Sequence, residues 1–199
     1  MFLDSLAPLA IFAVVTTVTP GGATTLATAS GARFGFRRSV PLIAGIVVGL
    51  STLAAAAAAG LASLLLAVPS LQLAMKATGS AYLLWLAWKI GSSGPPNLDA
   101  EMAAPTGFLG GLLLLAVNPK AWTMALGAAA SFSPLASGPW QLAALLATAL
   151  GLSATAALTL WCIAGFVLAR RLRTGRQWRA VNAVLGLALA ASIVPIWME

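Results

Sequence analysis

The sequence predicts an all-α integral membrane protein with six transmembrane helices arranged as two three-helix repeats, and three observations predict it. First, 60% of the 199 residues are hydrophobic, only 8% are charged, and the mean hydropathy is +0.97. Soluble domains carry about a quarter of their residues as charges. Second, six apolar runs are each long enough to cross a bilayer, which takes about 20 residues: Ser5 to Ser30, Ser39 to Val68, Leu71 to Ile90, Gly107 to Phe132, Gln141 to Ala169 and Arg179 to Met198. Third, two of these runs are interrupted by helix-breaking residues about half a chain apart.

The first interruption is Val18-Thr19-Pro20-Gly21-Gly22-Ala23-Thr24-Thr25. Pro20 has no amide hydrogen and its ring collides with the carbonyl of Thr16, while Gly21 and Gly22 carry no side chain to stiffen the turn. Backbone polar groups are set free there, and broken helices persist at membrane depth only where protein or a polar cavity covers them. The break therefore predicts a buried site. The second interruption, Val117-Asn118-Pro119-Lys120-Ala121-Trp122, falls about twelve residues into the fourth run, near the bilayer midplane at 1.5 Å per residue. With three spans per half, the two breaks would be related by inversion, the pattern of a secondary transporter with a midplane site. The chain divides into a first repeat of about 1–91, a linker of about 92–106 and a second repeat of about 107–199, a single membrane domain.

The remaining spans read mostly as packing and anchoring. Gly45-Ile46-Val47-Val48-Gly49 and the alanine run Ala54 to Ala59 offer a surface of small residues for close helix approach. The third span ends in Tyr82-Leu83-Leu84-Trp85-Leu86-Ala87-Trp88-Lys89, an interfacial aromatic belt with a snorkelling lysine. Gly91 to Pro96, with Asp99 and Glu101, forms the hinge between the halves. Ser153, Thr155, Thr159, Trp161, Cys162 and Asn182 are scattered polar residues that hydrogen-bond between helices, and no site is assigned to them.

Charge sets the orientation. The net charge of +7 is not spread as a nucleic-acid face, because nine of the eleven cations fall in alternate loops: Arg33, Arg37, Arg38, Lys89, Arg170, Arg171, Arg173, Arg176 and Arg179. The positive-inside rule puts those loops in the cytoplasm and both termini on the periplasmic side. Asp4 is the only charge before Arg33 and no basic region precedes the first apolar run, so that run reads as a retained span. Lys76 snorkels to the outer interface.

Catalytic and metal chemistry find no support. The chain has no histidine, and its four acids, Asp4, Asp99, Glu101 and Glu199, lie at a terminus or in a loop, so no catalytic residues, metal site or cofactor are assigned. A single cysteine cannot cycle as a dithiol. A zwitterion suits the breaks better, its carboxylate met by half-helix amides after Pro20 and its ammonium by freed carbonyls. Lys120 is the one full charge at membrane depth and needs a partner: carbonyls at the end of the preceding half-helix, an anionic substrate group, or loss of its proton. The candidate substrate-binding residues are Thr19, Pro20, Gly21, Gly22, Asn118, Pro119 and Lys120.

The chain resembles the lysine exporter superfamily, the LysE/RhtB amino-acid exporters. The likeness runs through Thr19-Pro20-Gly21, the Gly31/Gly35 turn, Gly45 and Gly49, Ala81 to Lys89, and Asn118-Pro119-Lys120-Ala121-Trp122. It looks closest to the branch of cysteine/O-acetylserine and homoserine/threonine exporters. The resemblance implies six spans, a homodimer in the bacterial inner membrane, and export of a small amino acid or derivative, driven by its own gradient or by proton exchange. Relatives usually carry Pro-Gly-Pro followed by Asn or Asp where this chain has Pro20-Gly21-Gly22-Ala23, so substrate contacts at Ala23 are not carried over. The competing class is a non-transporting membrane scaffold or interaction protein, which needs no paired helix breaks.

Overall fold

The computed structural model describes residues 2–61, 69–92, 105–172 and 174–198, and nearly all of them are helical. Helix α1 is Phe2–Val18, α2 is Gly22–Ala56 followed by a π-helical turn at Ala57–Leu61, and α3 is Pro69–Gly91. The second half contains α4 (Phe108–Ala116), α5 (Pro119–Ser131), a 3-10 turn at Ser133–Leu135, α6 (Pro139–Arg171), α7 (Gly175–Ala191) and α8 (Val194–Met198). The hinge residues Gly94, Pro95, Pro96, Asp99 and Glu101, and Arg173, lie outside the described residues.

Helix α2 is two arms rather than one rod. Gly35 sits at φ 77 and ψ 171, a conformation that L side chains resist. The hydroxyls of Ser30 and Ser39 are 2.7 Å apart, whereas nine residues of straight helix would separate them by roughly 13 Å. The chain therefore reverses at Gly35, inside the glycine-punctuated turn of the sequence. Gly35 also faces the ring of Phe166, over which Arg170 stacks at 4.1 Å. That contact gathers exposed Arg33, Arg37, Arg38, Arg170 and Arg171 at one end of the bundle.

Helix α6 packs along both arms of α2, and small residues make the approach possible. A Cβ on Gly31 would overlap the carbonyl of Cys162, and one on Gly165 the carbonyl of Thr28. On the second arm, Gly45 lies against the Phe108 carbonyl and Gly111 against the Leu42 carbonyl, while Ser51 Oγ donates to the Ala147 carbonyl at 3.1 Å. Ala54 and Ala57 of the alanine run are buried in the same core with Leu42, Ile46, Leu50, Leu146, Leu150 and Leu158. Replacing Gly165 by alanine is expected to force α2 and α6 apart and lower stability by about 1–3 kcal/mol, the usual cost of overpacking. Thermal unfolding in detergent checks it, with Gly127→Ala, where the added Cβ meets open space, as the neutral control.

The outside of the bundle is as apolar as its inside. Ile11, Val14, Leu109, Leu113, Leu152, Leu160 and Leu187 are all exposed, which marks a protein whose solvent is lipid. By length and composition the Gly22–Gly60 stretch and Pro139–Arg171 are each sufficient to cross a membrane, and α4 with α5 is a third when taken as one bent element.

Several boundaries differ from the sequence-based expectation, each for a local reason. The helix expected to reach Val68 turns π-helical at Ala57–Leu61, where Gly60 adopts φ 123, and residues 62–68 of that expectation lie outside the described residues. Helices α3 and α6 begin two residues earlier than expected, at Pro69 and Pro139, where proline's missing amide costs nothing in a first turn. Helix α7 begins at Gly175 rather than Arg179 because Thr174 and Gln177 form a reciprocal capping box, at 3.3 Å and 3.1 Å.

Candidate functional site

The two sequence breaks meet. Helix α1 stops at Val18 and α2 starts at Gly22, with Gly21 fully extended as its N-cap. Helix α4 stops at Ala116 and α5 starts at Pro119, and the two are bent by 68°. Asn118 caps α5: its Oδ1 accepts from the Lys120 amide at 3.1 Å, and Pro119 occupies the first turn. Lys120 then reaches across to the other break, its Nζ donating to the Thr19 carbonyl at 2.6 Å and, more weakly, to the Pro20 carbonyl at 3.5 Å.

Where the freed backbone groups go can be followed atom by atom. The Thr19 amide and hydroxyl both donate back to the Val15 carbonyl, at 3.1 Å and 2.5 Å. The Val18 carbonyl accepts from the indole of Trp161 at 3.1 Å, and the Ala116 carbonyl from the indole of Trp122 at 2.9 Å. The Gly21 amide donates to the Thr24 hydroxyl at 2.8 Å. Two tryptophans, a lysine and two threonines thus answer the backbone groups at the breaks, as a non-aqueous setting demands. Lys120 finds its partners at the end of α1, not at the end of its own preceding half-helix, because Trp122 already holds that carbonyl.

The expected site residues separate into two groups. Thr19, Gly21, Gly22, Asn118 and Lys120 line a common cavity, together with Thr16, Thr17, Thr24 and Met124. Pro20 and Pro119 do not line it: Pro20 is exposed and Pro119 is buried against Gly79, so both act on the backbone. The break is also less enclosed than the sequence suggested. Gly21, Gly22 and Asn118 are buried and Lys120 half-buried, but Thr19 and Pro20 are exposed. The cavity is about 40 Å³, room for a few waters at about 10–15 Å³ each.

Sequence reasoning missed Thr16, Thr17 and Thr24 as lining residues, whereas Ser153 and Trp161, expected to hydrogen-bond between helices, do so. Thr17 Oγ1 and Ser153 Oγ lie 2.7 Å apart and fasten α6 to the end of α1. Threonines at 16, 17, 19 and 24, crowded around the Pro-Gly break, were the available signal. Among the described residues no group of three or more metal-ligating side chains occurs.

A site built from two opposed helix interruptions in an apolar bundle is the setting in which the comparison with known proteins becomes informative. Residues 14–192 match the LysE type translocator family. This chain belongs to that family. It is 30% identical over 187 residues to the cysteine/O-acetylserine efflux proteins of Escherichia coli K12 and Shigella sonnei, covering 94% of each chain. The protein of the same name from Escherichia coli O6:K15:H31 is 29% identical over the same share. No solved structure matches. As a LysE family member with an apolar exterior, the chain is a membrane protein of a translocator family.

Proposed function

We propose that this protein exports a small zwitterionic amino acid, or a derivative that keeps the ammonium and carboxylate, across a bacterial inner membrane. The observation that carries the reading is the junction of the two breaks through Lys120 beside a threonine-lined cavity. Relatives named for cysteine/O-acetylserine efflux support the substrate class. The substrate carboxylate is met by Lys120 and by the first amides of α2 at Gly22 and Ala23, which have no partner within the helix and lie at its positive end. Thr16, Thr17 and Thr24 suit a short polar side chain, and Leu115, Met124 and Leu158 its methylenes.

The cavity, at about 40 Å³, is narrow for an amino acid. Transport then requires enlargement first toward one side and then the other, an alternating-access motion of residues of about 1–91 against about 107–199, read as two inverted three-helix repeats. In this reading α1 with the first arm of α2 is one broken span and α4 with α5 is the other. The arginine-rich end faces the cytoplasm, both termini face the periplasm, and the unit is a homodimer. Among the described residues Lys120 is the one titratable side chain lining the cavity, and we assign to it any proton exchanged for substrate.

Proteoliposomes loaded with radiolabelled O-acetylserine, cysteine, homoserine or lysine test the proposal. Efflux of the small neutral compounds above that of protein-free vesicles is expected, accelerated by an inward proton gradient, with lysine retained. No efflux of any of them would leave the scaffold reading in place. For orientation, a reporter cysteine at Thr174, beside the arginine cluster, is expected to be labelled by a membrane-impermeant maleimide only in inside-out vesicles. Labelling in intact spheroplasts would reverse the topology.

A further inference from the structure

We propose that the Lys120 ammonium is a tethered stand-in for the substrate's ammonium, holding the Thr19 and Pro20 carbonyls until an incoming amino acid takes them. The inference rests on the export reading and gives Lys120 a role within it. A primary ammonium needs acceptors, and among the described residues that line the cavity there is no acid. Backbone carbonyls are the remaining strong acceptors. Of those freed by the breaks, the Val18 and Ala116 carbonyls are held by Trp161 and Trp122. Among the described residues Lys120 alone donates to the Thr19 and Pro20 carbonyls, at 2.6 Å and 3.5 Å, and both residues are exposed.

The lysine and the substrate thus present the same group to the same two acceptors. Lys120 can leave, since its charge rides on a flexible four-carbon stem, and Gly21 gives that stem its track. A Cβ on Gly21 would stand 3.1 Å from Lys120 Cδ and 3.4 Å from Nζ. Once displaced, the Lys120 ammonium is free to pair with the carboxylate of the same substrate molecule, a charge-assisted contact. One substrate therefore answers both halves of the exchange, which a free amine or a free carboxylate cannot do. When the site is empty, Lys120 ties the two breaks together and keeps the carbonyl pair from other cations.

A vacated carbonyl pair should accept small primary ammonium ions, and that is measurable. Thermal unfolding of the purified full-length protein in detergent is followed for the wild type, Lys120→Met and Lys120→Arg, with ethylammonium, tetramethylammonium or O-acetylserine added. Ethylammonium is expected to raise the unfolding temperature of Lys120→Met and to leave the wild type and Lys120→Arg unmoved. Tetramethylammonium, with no N–H to donate, is expected to do nothing. O-acetylserine is expected to stabilise the wild type and to bind Lys120→Met about tenfold more weakly, as loss of one charge-assisted contact implies. If Lys120→Met does not fold, Lys120→Gln takes its place.

The outcomes separate. O-acetylserine stabilising the wild type while ethylammonium fails to act on either neutral variant would overturn the stand-in role and leave export standing. Ethylammonium rescue without any O-acetylserine effect on the wild type would remove the export reading and, with it, the exchange.

Discussion

Replacing Lys120 by methionine is expected to bring O-acetylserine efflux from proteoliposomes down to the rate of protein-free vesicles while the variant still inserts. The substitution keeps most of the apolar stem and removes the one charge that bridges the breaks, so the Thr19 and Pro20 carbonyls lose their donor. The stability cost should be about 1.5–3 kcal/mol, the usual worth of a hydrogen bond to a charged group. That is small beside a complete loss of transport, so activity per folded molecule distinguishes a transport role from a tie that only holds the fold. Lys120→Arg is expected to insert and bridge but to transport slowly, because a wider, planar head cannot retrace the path past Gly21. Lys120→Met efflux equal to wild type per folded molecule would remove Lys120 from the cycle.

The second large effect is expected from converting Pro20, Gly21 and Gly22 together to alanine. Helix propensity alone then favours a continuous helix through the break by roughly 5 kcal/mol, about 3 from the proline and 1 from each glycine. A continuous helix would take the Thr19 and Pro20 carbonyls into its own ladder and withdraw them from Lys120. The new Cβ at position 21 would also meet Lys120 Cδ at 3.1 Å, and that at 22 would meet Leu83 Cδ2 at 2.8 Å. Insertion is expected to survive and efflux to vanish. Wild-type efflux from this variant would mean that the break is a tolerated kink with no part in transport.

Much of this was legible in the sequence, for identifiable reasons. Proline and glycine act on their own backbone, so the interruptions after Val18 and after Ala116 could be placed from Pro20-Gly21-Gly22 and Asn118-Pro119 alone. The demand for a Lys120 partner also followed, because a lone charge in an apolar run must be answered. Which partner answered it was not legible. The two carbonyls lie about a hundred positions away, and the nearer carbonyl at Ala116 had been taken by Trp122, a fact of side-chain reach. Trp161 and Ser153 were legible as residues that bond between helices, but not their partners, Val18 and Thr17, which belong to a helix distant in sequence. The partial exposure of Thr19 and Pro20 was missed because hydropathy records that a segment is apolar, not which side of a bundle its break faces.

If the paired breaks enclose one binding site for a small amino acid, substrate should protect a cysteine placed at Ala23. Ala23 lines the cavity and is half-buried, and the native Cys162 is fully buried and can be replaced by serine. The Ala23→Cys variant in that background would be reconstituted, checked for efflux, and labelled with a small methanethiosulfonate over a series of O-acetylserine concentrations. The account predicts that labelling slows with O-acetylserine along the same saturation curve as transport. An unchanged labelling rate at concentrations that saturate efflux would place the substrate elsewhere in the bundle and contradict it.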